Sequence, residues 1–292
     1  MRLIVLLAII PSAMCFCNPL PKGGATCVRV RKSNPAAVQE EGKALSQRCE
    51  KSMFPPAERP LLIRPDSQPD AGLWMFEQQP HDQFGWYASR IRMALYALKD
   101  GTGIVYNPIG ATEETLQAVV DTIGEPGHIV FPTNSPEHTI FVNEWTARFP
   151  GATFWGLRGM ELEGARVQKD LEDFPPAWQS ELDISIMNGS PLLRECFLLH
   201  KATRTVFAID SFAHIGEEQI ISTWGKRVLQ ALGTFGRPAC STKMFLWDKL
   251  ACRQAVDKVL SWDFDAVFPT HGQCPVADGK RIMTEEFRFL YY

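Results

Sequence analysis

Two apolar runs, Ile91–Leu98 and Gly103–Tyr106, flank the turn-forming residues Lys99-Asp100-Gly101-Thr102 and predict a β-hairpin. Beyond it, Leu116, Val119, Val120 and Ile123 return at helical spacing. Thr112 is placed to cap that helix, and Glu113 and Glu114 fall in its first turn, where negative charge is favoured. A short run at His128–Phe131 predicts a strand, 137–149 a helix and Ala152–Trp155 a further strand. Asp183–Met187, Arg194–Leu199 and Thr205–Ile209 read as three successive strands. They are followed by helical patterns over 217–232 and 244–262, a strand at Ala266–Phe268 and a terminal helix over 284–291. Hairpins interleaved with helices in two successive halves predict an α/β protein: an αββα sandwich of two mixed sheets flanked by helices.

The chemistry sits at the ends of these strands. Thr133-Asn134-Ser135-Pro136-Glu137-His138 follows one, Asp210 ends a second and His271-Gly272 ends a third. Imidazoles and carboxylates gathered at strand ends suit a borderline divalent metal ion. The same residues have plainer uses. Ser135-Pro136-Glu137 is also a good helix start, with Ser as cap and Pro in the first position. Asp210 is placed to cap a helix, and His200 to be a core histidine bonded to backbone.

Residues 1–60 read differently. Arg2 and the apolar run Leu3–Ile10, then Ala13-Met14-Cys15, have the form of a signal peptide. The run is far too short to span a bilayer, which takes about 20 residues. Residues 1–39 hold no acid and five bases, a transit-like composition. Signal peptide, aromatic Phe16 and basic segment together resemble the bipartite plastid presequence of algae with complex plastids; plain secretion is the alternative. Pro55-Pro56 through Pro60 reads as a linker, which leaves residues 61–292 as one domain, with no span in the mature protein.

With 45% hydrophobic and 22% charged residues the 292-residue chain is ordinary globular material, and its net charge of −3 gives no basis for nucleic-acid binding. The eight cysteines show no C-x-x-C spacing, which speaks against a zinc ribbon and a disulfide framework. Nor is there a P-loop, G-x-G-x-x-G or G-x-S-x-G pattern. Trp145, Phe149, Phe154 and Trp155 read as core. Trp74, Phe76, Phe84 and Trp86 either pack an N-terminal strand or cover an apolar pocket. Cys274 and His214 lie close enough in sequence to the strand-end residues to line a site, His81 and His128 read as structural, and Arg90, Arg92 and Arg204 are candidates for holding an anionic substrate.

In order and rough spacing, Thr133–His138, Asp210 and His271 resemble the metallo-β-lactamase superfamily, whose first motif is H-x-H-x-D-H. Arg90-Ile91-Arg92-Met93, Tyr106-Asn107-Pro108-Ile109, Phe131-Pro132-Thr133-Asn134, Arg204–Asp210 and Trp262-Asp263-Phe264-Asp265 resemble one branch of it, the DUF4336 family, over roughly residues 70–275. The resemblance implies an αββα sandwich with metal ligands at strand ends. It also implies a loss, because Thr133 and Ser135 stand where the first metal's H-x-H histidines belong. The second metal's ligands keep plausible types as Glu137, His138, Asp210 and His271, and His200 falls nearest the family's third histidine. The resemblance therefore implies a degenerate site for at most one divalent ion (zinc, iron or manganese). Such an ion would acidify water for attack on an ester, lactone, thioester or phosphodiester. Asp210 would then act as general base, and His200 would donate a proton or stabilise an oxyanion. The alternative is a catalytically inactive domain that kept the fold and binds a small molecule or a protein partner.

Overall fold

The computed structural model describes residues 62–63, 68–78, 90–162, 167–190, 192–220 and 222–292. The expected presequence, the Pro55–Pro60 linker, His81, Phe84 and Trp86 lie outside the described residues. Among the described residues, eleven strands form two sheets. The first contains β1 (Leu62–Ile63), β2 (Leu73–Gln78), β3 (Ile91–Ala97), β4 (Gly103–Tyr106), β5 (His128–Val130), β6 (Thr153–Gly156) and β7 (Lys169–Asp170), in that spatial order. The second has the order β11 (Ala266–Pro269), β10 (Thr205–Ala208), β9 (Glu195–His200), β8 (Leu182–Met187). Both sheets are mixed: β4, β5, β6 and β7 run parallel, as do β10 and β11, and the remaining pairs are antiparallel.

Alternation along the strands builds three apolar layers. On β3, Ile91, Met93 and Leu95 face outward onto Leu116 and Val119 of helix α1 (Glu113–Ile123) and Trp145 of helix α2 (Val142–Arg148). Ala94 and Tyr96 face inward and meet Cys196, Leu198, Phe207 and Phe268 of the other sheet. Phe197, Leu199, Val206 and Val267 form the far face of the second sheet, under Cys252, Val256 and Val259 of α4 (Lys249–Ser261) and Met283 of α5 (Gly279–Glu286). The remaining helix, α3 (Thr223–Ala231), follows the loop after β10. The layer order is helix, sheet, sheet, helix, the expected sandwich.

Three expected helices are interrupted, two of them where a polar cap restarts the chain. Residues 217–232 divide into a 3-10 turn at Glu217–Gln219 and α3, whose cap Ser222 accepts from the Gly225 amide. Residues 244–262 divide into Lys243–Phe245 and α4, where Asp248 accepts from Ala251 at 3.0 Å. Residues 137–149 divide into a 3-10 turn at Pro136–His138 and α2, with the Thr139 hydroxyl bonding back to the Pro136 carbonyl at 3.2 Å. The terminal helix begins earlier than expected: α5 starts at Gly279, and Arg288–Tyr291 is a separate 3-10 turn. Strand β7, two residues long, lacks the run that would announce it.

Trp145 is fully buried, and its indole nitrogen donates to the Ile109 carbonyl at 2.8 Å. Trp145→Phe removes that bond, strands a buried carbonyl and vacates volume. The expected loss is about 1–3 kcal/mol, read as a lower urea midpoint at constant m-value. A loss below about 0.5 kcal/mol would show that α2 is held by other contacts.

Candidate metal centre

Parallel pairing sets the carboxyl ends of β10 and β11 side by side, and a bridge from Thr133 to Glu195 brings the chain leaving β5 to the same edge of the sandwich, the kind of position where open α/β sheets place their ligands. Pro136–His138 follows β5, Asp210 follows β10 and His271 follows β11. Local devices aim each side chain. The Ser135 amide donates to the Thr133 hydroxyl at 3.1 Å and turns the chain after β5. The Ser241 hydroxyl donates to the Asp210 carbonyl. After His271 the chain reverses at Gly272, where φ is 88° and a Cβ would lie 2.0 Å from the His214 carbonyl oxygen, so only glycine fits.

These devices bring together one donor atom each from Glu137, His138, Asp210 and His271, all within 4.8 Å of one another. His138 Nε2 lies 3.3 Å from Asp210 Oδ1 and 3.3 Å from His271 Nε2. His271 Nε2 lies 3.0 Å from Asp210 Oδ1. Glu137 Oε1 is 3.7 Å from His138 Nε2 and 3.4 Å from His271 Nε2. Four bonds of about 2.1 Å to a tetrahedral ion would set their ligand atoms about 3.4 Å apart. Five of the six pairs lie near that spacing, at 3.0–3.7 Å, and all six within 4.8 Å. The cluster also has the charge: two carboxylates among two imidazoles, at 1–7% exposure, call for a cation.

The His271 ring is fixed from behind. Its Nδ1 lies 2.9 Å from the Arg90 carbonyl oxygen. A carbonyl only accepts, so Nδ1 carries the hydrogen and Nε2 turns its other face to the cluster, the arrangement of a metal-ligating histidine. Burial works against a charged His271, yet Glu137 and Asp210 outweigh it and push the ring up to about 10. Burial alone would raise Asp210, but the two histidines reverse this and hold its carboxyl well below the usual carboxylate range. Asp210 Oδ2 and Ser135 Oγ are buried without a hydrogen-bond partner.

The position expected of the third histidine is a correction. β9 runs antiparallel to β10, so its first residue, Glu195, lies beside Asp210 and its last, His200, pairs with Thr205 at the opposite end of the sheet. Five steps of strand separate them by about 17 Å. His200 packs against Tyr96 with the two rings tilted by 41° and shares a 2.8 Å bond with the Thr203 hydroxyl, the core histidine rather than the proton donor. Glu195, which sequence reasoning missed, accepts from the amides of Asp210 (2.9 Å) and Ser211 (2.7 Å) and from the Ser211 hydroxyl. Burial, and then the nearby Asp210 charge, push its carboxyl up to about 7. On the backbone side, Glu195 bridges Thr133. Two of the three candidate arginines lie elsewhere than expected: Arg92 is fully buried between the sheets, and Arg204 pairs with Asp263 and Asp265 beyond the far end. Cys274 packs against the inter-sheet core. Cys196, Cys240 and Cys252 are buried free thiols.

Burial takes His200 down to about 4, from 6.5. Between those values the unfolded chain binds the proton and the folded chain does not, so stability is lost as pH falls through the window. Up to about 3 kcal/mol is expected to go between about pH 6.5 and pH 4. His200→Gln should flatten that part of a thermal-stability profile; an unaltered slope would remove His200 as its source.

Residues 70–160 match the family described as "Domain of unknown function (DUF4336)", a shorter stretch than the one resembling that family in sequence. No curated protein matches the chain. Solved structures do. The metal-soaked Flv1 flavodiiron core from Synechocystis sp. aligns with a TM-score of 0.55 at 13% identity, covering 80% of this chain and 61% of that one. A metallo-β-lactamase from Pontibacter korlensis aligns at 0.53 and 12%, covering 80% and 99%. A mutant flavo di-iron protein from Thermotoga maritima aligns at 0.54 and 10%, covering 78% and 62%. The chain thus spans less than two thirds of the flavodiiron proteins and nearly all of the lactamase. At such identities the likeness establishes the fold: a metallo-β-lactamase-fold protein carrying a DUF4336 region. Among the described residues no helix is long and apolar enough to cross a membrane.

Proposed function

We propose that this metallo-β-lactamase-fold chain is a hydrolase-like protein with a single divalent ion held by Glu137, His138, Asp210 and His271. The observation that carries the reading is the convergence of four buried donors, five of their six pairs at 3.0–3.7 Å and all within 4.8 Å. One ion rather than two is supported at the neighbouring position. Thr133 spends its hydroxyl on the Ser135 amide, and Glu195 spends its carboxylate on Asp210 and Ser211. An ion held by these residues with a position left open for water would supply Lewis acidity and would bring the pKa of that water towards about 7. Asp210 Oδ2 is the oxygen left to accept a proton from attacking water, and His271 is kept in a ligating tautomer by Arg90. The substrates this chemistry suits are esters, lactones, thioesters and phosphodiesters.

The test is elemental analysis of the mature protein purified without chelator. About one zinc, iron or manganese per chain is expected, followed by turnover in a screen of those four classes. No metal, even after reconstitution, would overturn the reading. One observation favours a second reading, a catalytically inactive binding domain that kept the fold: all four donors are at most 7% exposed, so access for a substrate is narrow. Metal without turnover in the same screen would select it.

A further inference from the structure

We infer that Arg92 is a positioning residue for His271 and thereby sets the metal affinity of the centre, an inference that rests on the reading above. β3 points Arg92 into the space between the sheets, where its side chain has no exposure. There the guanidinium crosses to the second sheet. Nη1 donates to the carbonyls of Pro269 (2.7 Å) and Thr270 (3.3 Å), and Nη2 donates to that of Gly272. These carbonyls bracket His271, at the point where the chain leaves β11. Two residues earlier on β3's side of the molecule, the Arg90 carbonyl holds the His271 ring. One segment of the first sheet therefore fixes both the backbone and the imidazole of a ligand carried by the second.

The charge is balanced locally. Glu77 lies directly across from Arg92 in the β2–β3 register, and its Oε2 is 2.7 Å from Nη2. A buried ion pair costs several kcal/mol in desolvation, and an apolar pair of similar volume often serves packing equally well. A hydrocarbon side chain, however, could not donate to three carbonyls in one plane. Lysine could keep the charge and the Glu77 pair but not the fork. The guanidinium is thus matched to holding the His271 turn rather than to filling space.

The experiment compares wild type with Arg92→Lys and Glu77→Gln, using zinc competition titrations, the ligand-field spectrum of the cobalt-substituted protein and the ¹⁵N–¹H resonance of His271 Nδ1 in the metal-free protein. Arg92→Lys is expected to keep its far-ultraviolet dichroism, bind zinc about 10–100-fold more weakly, and shift both the cobalt spectrum and the Nδ1–H resonance. Wild-type affinity with both signals unmoved would overturn the inference. If Arg92→Lys does not fold, Glu77→Gln decides. It frees the guanidinium from its counter-charge, and a cobalt spectrum and Nδ1–H resonance identical to wild type would be equally fatal. If wild type itself takes up neither zinc nor cobalt, the metal reading fails, and the Nδ1–H resonance alone decides whether Arg92 positions His271.

Discussion

His138→Ala and His271→Ala are each expected to leave the purified protein without retained metal while its secondary structure persists. Each removes one of two nitrogen donors from a four-donor set whose remaining pair is Glu137 and Asp210. The one imidazole and two carboxylate oxygens that remain in either variant are a poorer set for zinc or iron. Substitutions behind a ligand commonly weaken metal binding about 10–100-fold, and removal of the ligand itself should exceed that. Metal content should fall from about one ion per chain to background in elemental analysis. The two variants should also resemble each other, because His138 Nε2 and His271 Nε2 stand at comparable distances, 3.3 and 3.0 Å, from the same Asp210 oxygen. Unchanged metal in either variant would mean that any ion sits elsewhere, and the cluster would then be a buried network holding protons.

The elements that sequence locates well are those whose signals are local. Asp100 accepts from the Thr102 amide at 2.8 Å and Gly101 takes a φ of 86°, so the residues that suggested the β3–β4 turn also make it. Thr112 caps α1 through the Thr115 amide. Glu137, His138, Asp210 and His271 were legible because each follows a strand of obvious apolar character. His200 was misplaced for a different reason. Sequence order places both Glu195 and His200 before Asp210, and only the antiparallel pairing of β9 with β10 decides which end of the strand meets the site. The family resemblance pointed to the histidine, and topology put the carboxylate there. Arg92 was illegible in the same way: its partners at Pro269, Thr270 and Gly272 lie 177 to 180 residues away, and nothing local marks a charged residue as buried.

Glu195→Ala is expected to be the most damaging single change outside the ligands themselves, at about 3–5 kcal/mol. The side chain has no exposure, and its carboxylate is the acceptor for the Asp210 amide, the Ser211 amide and the Ser211 hydroxyl. Alanine leaves all three donors buried without that acceptor, each at about 1–3 kcal/mol, and opens a cavity between the Thr133 and Asp210 loops. Glu195→Gln keeps the volume and one carbonyl oxygen, so about 1–2 kcal/mol is expected; burial already opposes the charge it removes. Urea unfolding of the metal-free protein separates the two variants from any effect on metal binding. A loss of less than about 1 kcal/mol for alanine would show that the loops are held by their backbone bonds, Cys196 to Pro132 and Ser241 to Ser211. The full loss, together with weaker zinc binding in the loaded protein, would show that the Glu195 carboxylate holds Asp210 in place for the ion beside it.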